Sequence, residues 1–286
     1  MEKYIELGQT VAGFFRTLFR PVYLAGDAPE HYDSTKRIFL RNERKDRAVN
    51  GELTMVSWNI LRNYHQEKVR KTLTGILEEQ EPGLVLVQEA PVYDSSTFWD
   101  DDIFREFNAY YAPLHQVKKQ TAFYNFAHSG QLTLSRYPFT KTEVYQLPSV
   151  SKPVLTKNHV IKRLALYTQV QMEGGKTIGI YNVHLENATW QTGRRKQLEY
   201  LLGIIEKNGD DVVVVGGDFN TFLGGLEQGI STLKKAGFDD LLSRPRVVPR
   251  LDRFLVRGTK ARAVPLRGYG SDHQPIGVVL NIENQP

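Results

Sequence analysis

The chain has 286 residues, of which 41% are apolar and 24% charged, a balance that suits a globular protein with a sizeable core, in one large domain or two small ones. It contains no cysteine, which excludes disulfides and thiolate metal sites, and no apolar run of about 18 residues that could span a bilayer. The net charge of +5 and the isoelectric point near 9.2 fit an anionic partner without requiring one.

Residues 1–50 are predicted to form an N-terminal appendage, with the main domain at 51–286. The first residues lack a basic region, and Arg16 interrupts the apolar stretch that follows, so no secretory signal is expected and a cytoplasmic location is predicted. Residues 10–25 mix aromatic side chains with Arg16 and Arg20. That pattern is compatible with a peripheral membrane contact, but it favours an ordinary packing helix.

Two similar strand–helix–strand units are predicted in the main domain. The first has apolar strands at 53–60 and 84–88, with a helix between them whose apolar residues recur at helical spacing until Pro82-Gly83 ends it. The second has strands at 177–183 and 212–215 around a helix with four apolar residues on one face: Leu198, Leu201, Leu202 and Ile205. The likeness suggests a weak internal repeat.

Further strand-like segments lie at 121–126, 131–134, 160–172, 251–256 and 276–280. This amount of strand, with few helices between, favours sheets packed on each other with helices outside. A singly wound parallel sheet fits less well.

Polar residues follow several of these apolar strands. Glu89 emerges where the strand at 84–88 ends, and a buried charge is costly unless it is paired or bound to a metal. Asn59 and His184 end two other strands. Each has an ordinary interpretation as well: Glu89 as a helix cap or salt-bridged acid, Asn59 as a turn former and His184 as a structural histidine.

The segment Gly216-Gly217-Asp218-Phe219-Asn220 is more specific, because its two glycines let the backbone approach a ligand closely. Asp218 and Asn220, two residues apart, are predicted to converge on one small site, although an Asx-turn would use the same residues.

A second polar segment, Gly270-Ser271-Asp272-His273, precedes the strand at 276–280. A carboxylate there can ligate a hard cation while the imidazole contacts a phosphate oxygen, although an ordinary polar turn is the alternative. Asp252 lies at a strand start beside Arg250 and Arg253, where it can orient a histidine or pair with an arginine.

Apart from Asp252, these strand ends supply three carboxylates, two asparagines and two histidines. Oxygen donors of this kind fit Mg²⁺ or Mn²⁺. They suit zinc poorly, because the chain has neither cysteine nor a closely spaced histidine pair, and no Gly-x-Ser-x-Gly elbow indicates a serine nucleophile.

A basic stretch follows at 244–267, with eight basic residues and one acid, Asp252. It would attract phosphates to whatever surface presents it, unless acids elsewhere balance it.

In their order, the motifs make the chain similar to the endonuclease/exonuclease/phosphatase superfamily, which has the DNase I-like fold. The matching segments run from residue 53 to 282 and leave residues 1–50 outside: Ser57-Trp58-Asn59-Ile60, Val87-Gln88-Glu89, Gly130 to Pro138, Asn182-Val183-His184-Leu185, Gly217-Asp218-Phe219-Asn220, Leu251-Asp252-Arg253-Phe254 and Ser271-Asp272-His273.

The resemblance implies an α/β fold, a four-layer α/β/β/α sandwich in which two mixed sheets pack face to face with helices outside. It also implies Mg²⁺-dependent hydrolysis of phosphodiesters or phosphomonoesters. By position, Glu89 would be the main metal ligand, Asn59 would support it, and Asp272 would be a further ligand.

The resemblance also implies catalytic roles. Asp218 would activate the attacking water, and Asn220 would hold a phosphate oxygen or the nucleophile. His273, oriented by Asp252, would stabilise charge on the phosphate, while His184 would contact the scissile phosphate or assist the leaving group.

Arg163 is a looser candidate for a phosphate contact, with an ordinary surface arginine as an equal alternative. Leu61 stands where some abasic-site endonucleases have an acid, and His184 likewise favours the DNase-, sphingomyelinase- and phosphatase-like branches. The substrate is expected to be a phosphate ester, with nucleic acid favoured, and no obligate protein partner is predicted.

Two alternatives to a nuclease stay open. One is an enzyme acting on phospholipid or inositol phosphate headgroups, with residues 10–25 at the membrane. The other, an inactive binding scaffold, is disfavoured because every expected catalytic position is filled. Substrate specificity is expected to reside in loops at 93–102, 115–120 and 148–159.

Overall fold

The computed structural model describes residues 30–31, 38–44, 48–63, 65–93, 97–116, 128–150, 163–187, 191–221, 228–241 and 251–282. The expected membrane contact at 10–25 and the expected strand at 121–126 lie outside the described residues. So do most of the loops at 115–120 and 148–159, and the arginines between 244 and 250.

The described residues form fourteen strands and three α-helices. In chain order these are β1 (Glu30–His31), β2 (Phe39–Arg41), β3 (Glu52–Asn59), α1 (Gln66–Gln80), β4 (Leu84–Val92), β5 (Asn108–Gln116), β6 (His128–Ser135), β7 (Lys141–Leu147), β8 (Arg163–Gln171), β9 (Thr177–His184), α2 (Gln191–Asn208), β10 (Val212–Asp218), α3 (Gln228–Lys235), β11 (Asp239–Asp240), β12 (Asp252–Arg257), β13 (Ala261–Val264) and β14 (Ile276–Asn281). Three 3₁₀ turns lie at Leu61–Asn63, Phe98–Asp100 and Asp102–Phe104.

The strands form two mixed sheets. The first has the order β1-β5-β6-β4-β3-β14-β13, with β2 also pairing with β5, and the second has the order β11-β12-β10-β9-β8-β7. In each sheet one pair is parallel, β3 with β4 and β9 with β10, and a helix connects the two strands of that pair. These are the two predicted strand–helix–strand units.

Three apolar clusters hold four layers together. One lies between the two sheets, one between the first sheet and α1, and one between the second sheet and α2 with α3. The expected α/β/β/α sandwich is confirmed. The predicted helix faces are largely confirmed as well: the four apolar residues of α1 are buried, whereas on α2 Leu202 is only partly buried and Ile204 is buried in its place.

The strand at 39–41 pairs with β5 at the edge of the first sheet, inside the segment expected to be an appendage. Arg41 reinforces this pairing, because its Nη2 donates to the carbonyls of Phe104 at 3.1 Å and Phe107 at 3.0 Å. Val49 bridges to Met172 of the other half of the chain. The division at residue 50 stays a prediction, but β1 and β2, which precede it, belong to the first sheet. No helix within the described residues is long and apolar enough to cross a membrane.

A polar network joins the end of α2 to the outer face of the second sheet. Asn208 Nδ2 donates to the hydroxyl oxygens of Tyr181 at 2.8 Å and Tyr145 at 3.2 Å. Asp210 accepts from the Tyr167 hydroxyl at 3.1 Å and from Gln169 Nε2 at 2.7 Å. Burial and the nearby carboxylate of Asp210 disfavour the phenolate forms of these tyrosines, whereas the hydrogen bonds from Asn208 act in the opposite direction.

The three tyrosines are expected to resist ionisation in the folded protein. Burial raises the pKa of Tyr145 to about 12, and burial also raises the pKa of Tyr181 and of Tyr167, the last with a further contribution from Asp210. In the unfolded chain they ionise near the ordinary tyrosine value of 10.0. Their contribution to stability should therefore be complete below pH 10 and fall as the pH rises towards their folded pKa values.

An alkaline titration followed by the ultraviolet absorbance of tyrosinate tests this. Some tyrosines should ionise only at high pH, together with unfolding. The absorbance change of that step should be smaller in each of the variants Tyr145→Phe, Tyr167→Phe and Tyr181→Phe. If every folded-state tyrosine titrated near pH 10, the neutral network would be refuted.

Candidate active site

The carboxylate of Asp218 lies at the centre of a polar cluster between the two sheets and is 1% exposed. Its Oδ2 accepts a hydrogen bond of 3.0 Å from Asn59 Nδ2. The Nε2 atoms of His184 and His273 lie 3.4 Å and 3.7 Å from the same oxygen. Both histidine distances exceed ordinary hydrogen-bond lengths, so these groups surround Asp218 without closing onto it.

Strand register places these residues side by side. Asp218 at the end of β10 is opposite His184 of β9 on one side and Asp252 of β12 on the other. Alternation along each strand decides where the side chains point. Asp218, His184 and Asp252 are an even number of residues from Val214, Ile180 and Phe254, which lie in the cluster between the sheets. All three therefore face the opposite sheet, which contributes Asn59 from the end of β3.

Asn220 is held next to Asp218 by the Asx-turn that the sequence had left as an alternative. Its backbone N–H donates to Asp218 Oδ1 at 2.9 Å, its φ is 50°, and its side-chain amide donates to the carbonyl of Leu185 at 2.9 Å. The turn and the convergence on one site are therefore compatible, because the turn orients the carboxylate.

The two glycines before Asp218 lie inside β10, where they let the strand approach its protein neighbours. A Cβ at Gly217, where φ is 138°, would lie 2.0 Å from the carbonyl oxygen of Val183. A Cβ at Gly216 would meet the ring of Phe254 at 2.5 Å and the side chain of Leu86 at 2.7 Å. The glycines thus permit β10 to pack closely against its neighbours.

The two ring nitrogens of His273 face two different carboxylates, and the shorter contact is with Asp252. Its Nδ1 lies 2.7 Å from Asp252 Oδ2. Its backbone carbonyl accepts from Trp58 Nε1 at 2.9 Å, and Ser271 Oγ donates to the carbonyl of Asn59 at 2.6 Å. The segment before β14 is therefore anchored to β3, and the imidazole has a fixed orientation.

The buried charges perturb one another. Burial raises the pKa of Asp218 to about 7, with the charge of Asp252 acting in the same direction, while His273 and the hydrogen bond from Asn59 oppose the shift. Burial lowers the pKa of His273, but the carboxylates of Asp252 and Asp218 together raise it well above its ordinary value. His273 is thus a cation near neutral pH, facing a carboxylate that titrates there.

The predicted metal ligands lie at the same edge. Glu89, 8% exposed, has a φ of 57° at an irregularity in the pairing of β4 with β6, and Asn59 Oδ1 accepts from the backbone of Leu61 at 3.1 Å. Asp272 immediately precedes His273 and contributes to the raised pKa of that residue.

A different group could also hold a metal ion: one ligand atom each from Asp218, Asp252 and His273 lie within 4.8 Å of one another. A metal bound to Nδ1 of His273 would replace the 2.7 Å contact between that nitrogen and Asp252 Oδ2. We therefore favour a cation on the carboxylate and amide oxygens, a donor set that fits a hard divalent ion.

Arg163 does not lie where the sequence prediction placed it. It is 4% exposed, and its Nη2 lies 3.6 Å from Glu186 Oε1. It has the same strand parity as Ala165, which packs in the cluster under α2. Its side chain therefore lies on the helix side of β8, and a phosphate contact in the cleft is not supported.

The basic stretch at 244–267 is not one charged face in its described part. Arg253 is buried, with Nη1 2.5 Å from Asp240 and Nε 2.9 Å from Thr221 Oγ1. Arg257 pairs with Glu206, and Arg262 pairs with Glu52. Lys260 and Arg267 are exposed. The expectation that acids elsewhere balance the stretch holds for most of its described arginines.

One supporting pair was missed by the sequence reasoning. Gln88 Nε2 donates to Asn182 Oδ1 at 2.8 Å and to Ser57 Oγ at 3.1 Å, joining the two sheets directly beneath the cluster. Asn182 Nδ2 donates in turn to the carbonyl of Leu132 at 3.0 Å. The sequence does show polar residues inside otherwise apolar strands. It does not show which of these strands face each other, so the pair could not be identified.

The sequence matches the model of the Endonuclease/Exonuclease/phosphatase family over residues 56–273, more than half of the chain. It is also similar to UPF0294 proteins of Vibrio parahaemolyticus, 25% identical over 82% of this chain and 80% of the relative, and of Vibrio campbellii, 24% identical over 82% of this chain and 79% of the relative.

Solved structures show the same fold. An endonuclease/exonuclease/phosphatase from Bacteroides vulgatus is similar with a TM-score of 0.61 and 17% identity, over 82% of this chain and 100% of that one. The catalytic domain of human Nocturnin, solved with a bound sulfate anion, is similar with a TM-score of 0.62 and 16% identity, over 86% of this chain and 97% of that one.

Gly217→Ala is expected to destabilise the fold by roughly 3 kcal/mol, because the new methyl group must displace the carbonyl of Val183 or β10 itself. The matched control is Gly209→Ala, where φ is 68° and nothing lies within 4 Å of the added Cβ, so that only about 1 kcal/mol is expected. Urea unfolding measures both. Equal losses would mean that the close approach of β10 to β9 is not required.

Asp252→Asn is expected to lower the pKa of His273, because a neutral amide replaces the carboxylate that favours the imidazolium. Since the folded pKa exceeds the unfolded value of 6.5, stability from the charged ring is complete below pH 6.5 and lost as the pH rises through the folded pKa. The difference in the free energy of unfolding between wild type and Asp252→Asn should therefore narrow as the pH rises through the folded pKa of His273. NMR titration of the imidazole nitrogens in metal-free protein tests the shift, and an unchanged curve would contradict it.

Proposed function

The chain belongs to the endonuclease/exonuclease/phosphatase family, and from that premise we propose that it is a Mg²⁺-dependent phosphodiester hydrolase that acts on nucleic acid. The family is generally hydrolytic and typically uses a divalent metal. The observation on which the proposal rests is the Asp218 carboxylate, buried between two sheets with Asn59, His184 and His273 around one of its oxygens.

Asp218 is the proposed general base. With its pKa raised towards neutrality by burial, it can accept a proton from an attacking water and still be deprotonated in a large fraction of molecules. Asn59 and the backbone of Asn220 each hydrogen-bond one of its oxygens, which orients the carboxylate. The side-chain amide of Asn220 donates to the carbonyl of Leu185, and because an amide nitrogen carries two N–H groups, the proposed phosphate contact does not require that bond to break.

His273 is the proposed stabiliser of charge on the phosphate. Asp252 holds its Nδ1, which leaves Nε2 directed towards the centre of the cluster. An imidazolium there is a preorganised positive charge at the place where negative charge grows in the transition state. His184 lies on the other side of Asp218 and is the proposed partner for the scissile phosphate or the leaving group.

Glu89, Asn59 and Asp272 are the proposed metal ligands. A bound Mg²⁺, or Mn²⁺ in its place, would neutralise phosphate charge and polarise the phosphorus centre. A divalent cation there would also offset the cost of desolvating the acids of this cluster.

The proposal predicts EDTA-sensitive hydrolysis that Asp218→Ala abolishes. A panel of single-stranded DNA, duplex DNA, RNA, sphingomyelin, phosphoinositides and a chromogenic diester should give turnover on nucleic acid with Mg²⁺ and none with EDTA. Loss of the general base should lower turnover at least about 100-fold.

The matched control is Asp239→Ala, which removes an exposed carboxylate at the edge of the second sheet and should leave turnover unchanged. Circular dichroism establishes that the Asp218→Ala variant is folded. Turnover retained by Asp218→Ala would remove Asp218 from its proposed role. Hydrolysis of lipid headgroups alone would overturn the choice of nucleic acid and favour the phospholipid alternative.

A further inference from the structure

Tyr269 presents an exposed aromatic ring next to the candidate active site. Its side chain is 66% exposed, more than any other exposed large apolar or aromatic residue in the described part of the chain. It lies two residues before Ser271, whose hydroxyl donates to the carbonyl of Asn59, and four before His273. The ring is therefore attached to the segment that supplies a catalytic imidazole.

The backbone around Tyr269 is held firmly. The N–H of Tyr269 donates to Thr72 Oγ1 at 3.0 Å, and Thr72 Oγ1 donates to the carbonyl of Tyr269 at 3.1 Å. Gly268 N–H donates to Gln274 Oε1 at 3.1 Å. Gly270, with a φ of 104°, packs so closely on α1 that a Cβ there would lie 2.9 Å from the backbone of Val69. A ligand that stacks on this ring does not have to order the segment first.

Three exposed cations lie on the segments next to Tyr269. Lys68 and Lys71 are exposed on α1, four residues and one residue before the Thr72 that holds Tyr269, and the Cβ of Lys68 approaches Gly270. Arg267 is exposed two residues before Tyr269. None of these three cations forms an ion pair with another residue of the described ranges, in contrast to Arg253, Arg257 and Arg262.

We propose that one surface of the protein binds single-stranded nucleic acid and directs it to the active site. This surface, termed the Tyr269 surface, consists of Tyr269, Lys68, Lys71 and Arg267. A substrate-binding role for this surface rests on the proposed nuclease function. An unpaired base stacks on the exposed ring, and the three cations contact the backbone phosphates on either side. Stacking requires an unpaired base, so single strands are preferred to a duplex.

A membrane surface is the competing partner for an aromatic residue among cations, but it fits less well. Among the described residues, the other exposed large apolar or aromatic side chains lie elsewhere: Ile38, Phe39 and Leu40 around β2, and Tyr200 on α2. A single tyrosine without apolar neighbours buries too little surface to hold a protein on lipid, whereas it is sufficient to stack one base.

The test is binding of a fluorescein-labelled single-stranded oligonucleotide in EDTA, followed by anisotropy, so that hydrolysis is not required. Tyr269→Ala should weaken binding about five- to 100-fold, because stacking on one aromatic ring accounts for that range. Tyr269→Phe keeps the ring and should bind like wild type. Tyr200→Ala removes a tyrosine that is 48% exposed on α2 and should have no effect.

The salt dependence tests the cations separately. Lys68→Ala and Lys71→Ala should each reduce the slope of log affinity against log salt concentration by about 0.7, the value for one phosphate contact on a single strand. Lys235→Ala, which removes an exposed lysine from α3, should leave the slope unchanged.

Equal affinities of wild type and Tyr269→Ala would overturn the inference, as would equal binding of duplex and single strand, or binding to anionic phosphatidylserine vesicles but not to the oligonucleotide. Failure of the proposed function looks different: Tyr269-dependent binding without Mg²⁺-dependent turnover on any diester would keep the Tyr269 surface and refute the hydrolase. Turnover of nucleic acid without Tyr269-dependent binding would support the hydrolase and refute the Tyr269 surface.

Discussion

The buried carboxylate of Asp218 is the constraint to which the rest of the site responds. Removing a charge from water is costly, and here the cost is offset by donors placed on both of its oxygens and by an imidazolium nearby. Those partners come from both sheets, so the carboxylate cannot be satisfied unless the sheets pack face to face. The chemistry of the site and the architecture of the sandwich therefore depend on the same contacts.

The architecture meets this constraint by repeating one unit. Each sheet contains a parallel pair joined by a helix, and each pair has an antiparallel strand beside it, β14 next to β3 and β12 next to β10. Strand ends from both units consequently reach one edge of the sandwich. Below that edge, Gln88 and Asn182 join the sheets by a side-chain hydrogen bond, and deeper still the interior is mainly apolar. Polarity thus increases from the core towards the cluster, where charges can be compensated.

How much of this the sequence predicts differs between elements. The strands β3, β4, β9 and β10 were predictable because continuous apolar runs are buried on both faces. The strands β5 and β7 were not, because Pro113 interrupts the pattern of the first, and the second is largely polar and only half-buried. Among the site residues, Asp218 and His273 were predictable from their motifs. Arg163 was misplaced, because one step in strand parity separates the cleft from the helix side.

The sequence by itself determined which chemical groups stand at strand ends, and hence the donor set, the family and the layered class of fold, since apolar periodicity and motif order are local properties of the chain. Only the tertiary structure decided which groups meet. It paired His273 with Asp252, buried Arg253 against Asp240 and left Arg267 exposed beside Tyr269. The physical reason is that pairing between residues far apart in the chain depends on sheet order, register and side-chain direction, and no local pattern specifies these.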